Sequence, residues 1–207
     1  MLFRAALLAA LMGLALGFTP GASLRARTRR APTAAMAMKT GVFYSTTTGN
    51  TETVAGYINA AAPNAEEAMD ISEVDDLSGY DSIIVGAPTW HTGADKERSG
   101  TAWDEWLYDV LPGLGFSGKV AIFGVGDSLS YADNYVDAAG ELYDCFTGAG
   151  ATHVGSVSTD GYQHVDSKAV RGGSFVGMMF DEDNEYDKSE ERAGAWVAQL
   201  KGEGMAL

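Results

Sequence analysis

From residue 39 onward, short apolar runs alternate with amphipathic stretches. The runs at 39–44, 66–70, 81–87, 119–125, 153–157 and 174–179 read as strands, and the stretches at 51–62, 102–110, 134–149 and 188–201 read as helices. The central runs Ser82-Ile83-Ile84-Val85-Gly86 and Lys119-Val120-Ala121-Ile122-Phe123 are almost continuously apolar, as expected of parallel strands buried on both faces. The stretch 134–149 places Tyr135, Ala139, Leu142 and Phe146 on one face, with Cys145 beside it as a packed thiol. Near Val74-Asp75-Asp76-Leu77 a short connection takes the place of a helix. Strand–helix alternation of this kind predicts a doubly wound three-layer α/β sandwich, in which ligands sit beyond the carboxyl ends of the strands.

Three loops follow such strand ends. The first, Ser45-Thr46-Thr47-Thr48-Gly49-Asn50-Thr51, is rich in hydroxyls and leads into a helix carrying Val54, Ile58 and Ala61 at helical spacing. A helix N-terminus offers free N–H groups and the positive end of a dipole, which together attract an anion. No Lys or Arg lies between Thr40 and Lys96, so a phosphate here is held by neutral donors. The Gly-Lys-Ser/Thr of a nucleotide-hydrolysing loop and the three glycines of a dinucleotide fingerprint are both missing. Taken alone, the loop is equally compatible with an ordinary Ser/Thr turn and helix cap.

The second loop is Ala87-Pro88-Thr89-Trp90-His91-Thr92-Gly93, and the third runs from Gly124 through Gly126, Asp127 and Tyr131 to Asp133 and Asn134. A tryptophan at a strand end is either a core plug or a stacking platform. With Tyr131 on the neighbouring loop, Trp90 can sandwich a flat ring. An uncharged phosphate cradle and two aromatics describe a site for a phosphorylated planar heterocycle.

Residues 1–38 differ in composition from the rest. Met1-Leu2-Phe3-Arg4 precedes an apolar run of 12 residues, Ala5 to Leu16, with small Ala15 and Gly17 ahead of Phe18. This reads as a signal peptide over 1–17. Residues 18–38 carry Arg25, Arg27, Arg29 and Arg30 among Ser, Thr and Ala, with no acid, which is transit-peptide composition. The pair, with Phe18 at the junction, resembles the bipartite presequence of algae with complex plastids; a secreted protein with a basic propeptide is the competing reading. The single Cys145 and the lack of an Asn-x-Ser/Thr site lend secretion no support. The whole chain has 14 basic and 28 acidic residues. Setting aside the five arginines of 1–38 leaves nine basic against 28 acidic residues over 39–207, a net charge of −19. Such a domain repels nucleic acid and anionic membrane and favours basic protein surfaces in fast, salt-sensitive encounters. His91, His153 and His164 are scattered and offer no metal spacing.

Together these motifs resemble the flavodoxins. Thr46-x-Thr48-Gly49-Asn50-Thr51, Pro88-Thr89-Trp90 and Gly126-Asp127-x-x-x-Tyr131-Ala132-Asp133-Asn134 look like that family's flavin mononucleotide (FMN) loops. The match continues through Ser158-Thr159-Asp160-Gly161-Tyr162, Phe175-Val176-Gly177, Asp181-Glu182-Asp183-Asn184 and Ala195-Trp196-Val197-x-x-Leu200. Residues 158–173 resemble the insertion of the long-chain branch, and Asp95-Lys96-Glu97-Arg98-Ser99-Gly100 its algal members. The resemblance implies a five-stranded parallel sheet of order 2-1-3-4-5 with the last strand split by the insertion. It implies that Thr46, Thr47, Thr48, Gly49, Asn50 and Thr51 bind the phosphate. Trp90 and Tyr131 would flank the ring, with Thr89, Gly93, Gly126, Asp127, Asp133 and Asn134 lining ring and ribityl chain. His91 and Thr92 depart from the family's usual residues in the turn that rearranges towards flavin N5, which puts the potential in question.

By the same resemblance the chain is a monomeric one-electron carrier and not an enzyme. The resemblance implies FMN as cofactor, photosystem I as donor and ferredoxin–NADP reductase as acceptor, and the scattered histidines lead us to expect no metal. It would work in the plastid stroma, replacing ferredoxin when iron is short. Neutral cradle, apolar sandwich and acidic surface all disfavour added negative charge, so they should lower the potential of the last reduction, about 59 mV per 1.4 kcal/mol for one electron. The alternative is a flavodoxin-like NAD(P)H/quinone oxidoreductase, against which stands the lack of further basic residues near these loops. A receiver domain would need an Asp ending the middle strand, where this chain has Gly86-Ala87-Pro88.

Overall fold

The computed structural model describes residues 38–207, so the signal-peptide segment and all but Met38 of the transit-peptide segment lie outside the described residues. Strands β1 (Thr40–Tyr44), β2 (Met69–Asp70), β3 (Ser82–Pro88), β4 (Lys119–Val125) and β5 (Thr152–Val154) lie in the parallel order β2-β1-β3-β4-β5. A further strand, β9 (Gly177–Phe180), pairs with the second half of β4, while β5 pairs with its first half. The fifth position is therefore filled by two segments in series, as the split-strand expectation requires. Between them, β6 (Val157–Ser158), β7 (Val170–Arg171) and β8 (Ser174–Phe175) make a small antiparallel sheet of order β6-β8-β7.

Helices α1 (Asn50–Ala61) and α5 (Tyr186–Gly202) cover one face of the main sheet. Helices α2 (Trp103–Glu105), α3 (Leu111–Leu114) and α4 (Asp137–Gly148) cover the other. Alternation along the strands sorts the two cores. Ile83, Val85, Val120 and Ile122 join Trp103, Leu142 and Phe146, whereas Ile84, Ala121 and Phe123 join Val54, Ile58 and Trp196. Every residue of β3 is buried, which explains its unbroken apolar run.

The buried indoles are paired with backbone. Trp103 donates to the Gly86 carbonyl, Trp106 to that of Val74 and Trp196 to that of Gly155, each at 2.8 Å. Glycine clears room where backbone or rings approach closely. A Cβ on Gly86 would lie 2.0 Å from the Phe123 ring, and one on Gly140 1.9 Å from the Lys168 carbonyl oxygen.

Element ends depart from expectation where backbone chemistry intervenes. The stretch expected as a helix over 102–110 runs on to Leu114, because a π-helical turn over Trp106–Val110 follows α2 and leads into α3. Pro112 cannot donate an N–H to the preceding turn, and the wider π turn before it absorbs the mismatch. Helix α4 begins at Asp137, not 134, because Val136 sits at φ 53° in the left-handed region. Tyr135 is consequently buried from the segment before α4. Only Met69–Asp70 of the expected strand 66–70 pairs, and a 3-10 turn over Ile71–Glu73 follows, its start capped by Asp70, whose carboxylate accepts from Ser72 N–H at 2.9 Å. Cys145 is half-buried, and burial pushes its thiol up to about 11.

Gly140→Ala is expected to lower stability by about 3 kcal/mol, since the obstructing atom is a main-chain carbonyl that cannot rotate away. Urea denaturation measures it. A loss below about 1 kcal/mol would mean that the 167–169 segment is not seated on α4 as described.

Candidate functional site

Strands β1, β3 and β4 are parallel and in register, Tyr44 beside Gly86 and Gly86 beside Phe123. Their following loops therefore emerge side by side, and between them lies a cleft of about 370 Å³. The first loop contributes Thr48, Asn50 and Thr51; the second Pro88, Thr89, Trp90 and Thr92; the third Val125, Gly126, Asp127 and Tyr131. Asp183 completes the lining, which among the described residues includes no Lys, Arg or His.

At one end of the cleft is the N-terminus of α1. Gly49 precedes it at φ 95°, and no side chain caps it. The N–H groups of a first helical turn have no partner within the helix, so here they remain available. The Thr51 hydroxyl is buried and has no hydrogen-bond partner. An unsatisfied buried hydroxyl is costly, and this one sits where an anion would meet it. Thr46 shapes the loop, its Oγ1 accepting from Gly49 N–H at 3.0 Å. Thr46, Thr47 and Gly49 are not among the lining residues; Thr47 is exposed.

The walls are Trp90 and Tyr131, 50% and 55% exposed. That exposure disposes of the core-plug reading of Trp90. A fixed loop holds the indole: Trp90 and His91 N–H both donate to the Arg98 carbonyl, at 3.2 and 3.1 Å. Gly100, at φ 65°, backs the side chain so closely that a Cβ there would lie 2.7 Å from Trp90 Cβ. His91 points away from the cleft. Its Nδ1 is 2.6 Å from the Glu97 carbonyl, which can only accept, so Nδ1 carries the proton. The His91 carbonyl accepts from Ala94 N–H at 3.2 Å, and Gly93 at φ 77° takes the third position of that turn. Gly93 thus shapes the loop without lining the cleft.

In the third loop, the Asp127 carboxylate is folded onto its own turn. It accepts from Leu129 and Ser130 N–H at 3.0 and 2.8 Å and from Asn184 Nδ2 at 2.9 Å. Desolvation pushes this carboxyl up, but the hydrogen bonds from Ser130 and Asn184 outweigh it and the net shift is downward. Asp183 moves the other way, raised first by desolvation and then by the charges of Asp127 and Asp181. Thr89 lines the cleft while its Oγ1 accepts from Ala138 N–H at 3.0 Å, tying the second loop to the start of α4. Asp133 and Asn134 are outside the lining: Asp133 is exposed, and Asn134 donates to Asp137 at 3.4 Å.

Of the residues assigned from sequence, Thr48, Asn50, Thr51, Thr89, Trp90, Thr92, Gly126, Asp127 and Tyr131 come together at the cleft. Pro88, Val125 and Asp183 also line it without having been assigned a role. The Asp181-Glu182-Asp183-Asn184 run was the available signal for Asp183. Asp181 explains its placement, since it is fully buried and gathers N–H groups of Ser128, Asp183 and Asn184 at 2.9, 3.1 and 2.9 Å.

Comparison with known proteins points the same way. The family model described as Flavodoxin matches residues 42–196. The flavodoxin of Trichodesmium erythraeum is 44% identical over 170 residues, 80% of this chain and 97% of that protein. A flavodoxin of a Nostoc species is 46% identical over 172 residues, covering 81% of this chain and 98% of its own length. A crystal structure of Fusobacterium nucleatum flavodoxin bound to flavin mononucleotide has a TM-score of 0.71 at 26% identity, covering 80% of this chain and 98% of that one.

Two substitutions, one in the second loop and one in the segment after it, separate strain from collision. Gly93→Ala meets no atom within 4 Å, so it should cost only the left-handed backbone term, about 1 kcal/mol. Gly100→Ala carries the same term plus the contact with Trp90 and should cost clearly more. Thermal denaturation of the two variants side by side checks the order; equal losses would place Trp90 away from Gly100.

Proposed function

The chain belongs to the flavodoxin family, and on that premise we propose that it is an electron-transfer protein that carries single electrons on a bound FMN. The observation that carries the reading is the pairing of an uncapped helix N-terminus and orphaned Thr51 hydroxyl with two exposed aromatics across one cleft. The residues fit the group. Hydroxyls and helix N–H groups of Thr48, Asn50 and Thr51 suit a phosphate without a cation, and Trp90 and Tyr131 suit the two faces of a flat ring.

When bound, the flavin supplies the redox chemistry. The chain orients it and sets its electrostatic surroundings. Asp127 and Asp183 line the cleft of a domain with net charge −19, so the protein opposes added negative charge there and lowers the potential. The Thr92 side of the cleft is bounded by a turn held through the His91 carbonyl and Ala94 N–H, so any rearrangement of that carbonyl must first give up this bond.

The finer reading is a carrier of photosynthetic electron transport that accepts from photosystem I, delivers to ferredoxin–NADP reductase and stands in for ferredoxin under iron shortage. Similarity to cyanobacterial flavodoxins supports it. The acidic domain supports basic docking partners. Delivery to a plastid stroma, by a signal peptide over 1–17 and a transit peptide over 18–38, belongs to the same proposal and is supported by the acid-free, arginine-bearing composition of those residues.

Mass spectrometry of the cofactor released from the purified protein tests the central assignment: FMN is expected, and recovery of mainly the adenine dinucleotide would refute it. Thr51→Val should weaken FMN binding by about 1.5–3 kcal/mol while leaving the flavin-free protein equally or slightly more stable, because it removes an unpaired buried hydroxyl. Loss of stability with unchanged affinity would mean that the hydroxyl serves the fold. Trp90→Ala and Tyr131→Ala should each cost about 1–3 kcal/mol of affinity by analogy with base-stacking aromatics. Both side chains are half exposed, so the flavin-free protein should keep its melting temperature; a fall in melting temperature without loss of affinity contradicts the stacking role.

A further inference from the structure

Glu141 is a carboxylate on the inner side of α4, only 4% exposed, among neighbours that include Ala138 and Leu142. An isolated charge in such a place is costly unless it is fully hydrogen-bonded. Among the described residues, no Lys, Arg or His forms an ion pair with it. Its Oε1 accepts from Glu97 N–H at 2.7 Å and from the Tyr108 hydroxyl, and its Oε2 accepts from Arg98 N–H at 2.8 Å. Both oxygens are thus committed to two successive amides of the segment that follows the second loop, more than 40 residues away in sequence.

Those amides belong to the segment that holds Trp90. The Arg98 carbonyl accepts from both Trp90 and His91 N–H, and the Glu97 carbonyl accepts from His91 Nδ1–H. Glu97 itself sits at φ 57°, a conformation that a residue with a β-carbon adopts only when its surroundings hold it there. The bonds to Glu141 are what hold its N–H. Asp104 secures the next residues, accepting from Ser99 N–H at 3.0 Å and Gly100 N–H at 2.9 Å. A leucine at position 141 would be buried without electrostatic cost, but it would leave the Glu97 and Arg98 amides unpaired.

We propose that Glu141 is a positioning residue for the cleft, its two carboxylate oxygens clamping the Glu97–Arg98 peptides so that the Arg98 carbonyl fixes the Trp90–His91 backbone and presents the indole in one orientation. Its effect on cofactor affinity rests on the FMN reading; the clamp itself does not.

The test is Glu141→Gln in the full chain, with two readouts. In the flavin-free protein, hydrogen exchange at the amides of Trp90, His91, Glu97 and Arg98 should speed up by about tenfold while the amides of β3 and β4 keep their protection, because the new amide NH2 group faces at least one N–H it cannot accept from. In a fluorescence titration, FMN should bind about tenfold more weakly, equivalent to about 1.4 kcal/mol. Tyr108→Phe removes the third contact to Glu141 but leaves both amide bonds, so it should change affinity by less than about twofold. Unchanged exchange at the four amides overturns the clamp. Faster exchange with unchanged affinity, or an equal affinity loss in Tyr108→Phe, overturns the positioning role and leaves Glu141 a packing residue. If the unsubstituted protein binds no FMN, the functional reading fails, and the exchange arm alone still decides the clamp. Should Glu141→Gln not fold, Glu141→Asp keeps the charge, is too short to reach both amides, and is judged by the same two readouts.

Discussion

The site depends on one constraint: three central strands running in the same direction and in register must release their chains at the same edge of the sheet. Each strand end then hands its backbone to a loop that has to turn away within a few residues, and the three loops become the floor and walls of a single cleft. Burial enforces the register. With both faces covered, a one-residue slip of β3 would carry Ile83 and Val85 into the core now occupied by Ile84, and the reverse. The glycines at Gly86 and Gly177 allow rings and backbone to close around β4 where a β-carbon would collide. The loops are tied to the frame by this packing and by three carboxylates that accept from loop amides, the partly exposed Asp104 and the buried Glu141 and Asp181.

Charge is distributed with a consistent sense. The acidic surface, the acids at the cleft and the missing cation near the first loop all make negative charge at the cofactor position unfavourable. The phosphate end is the exception, because helix N–H groups and hydroxyls there provide a local positive field without any mobile charge. A phosphate can therefore be held tightly while added charge on a ring beside it is disfavoured, a division of labour that suits the proposed function.

Much of this was legible in the sequence. The apolar runs at 82–86 and 119–123 announced buried parallel strands, because that depends on local composition, whereas the hydroxyl-rich loop by itself fitted an anion cradle and an ordinary helix cap equally well. The split of the last strand was legible only through the family resemblance. Element ends were less readable, since the π turn before Pro112 and the left-handed Val136 arise from tertiary packing. At the site, the residues that face the cleft and those that shape its loops look alike in sequence. Thr46 and Thr48 differ only in that one is turned to Gly49 N–H and the other to the cleft. Asp183 was marked only by its acidic run, whereas Glu141 reaches the Glu97–Arg98 peptides across more than 40 residues, and no local pattern marks such a contact.

A phosphate cradle made of neutral donors is the central feature of the proposed site. The direct measurement is to titrate the flavin-free protein with FMN and with riboflavin, which lacks the phosphate, at low and at moderate salt. FMN is expected to bind more than about tenfold tighter, a difference of about 1.4 kcal/mol or more, and this difference should survive added salt because no lysine or arginine is among the lining residues. Equal affinities, or a preference for FMN that disappears as salt is raised, would contradict the neutral cradle.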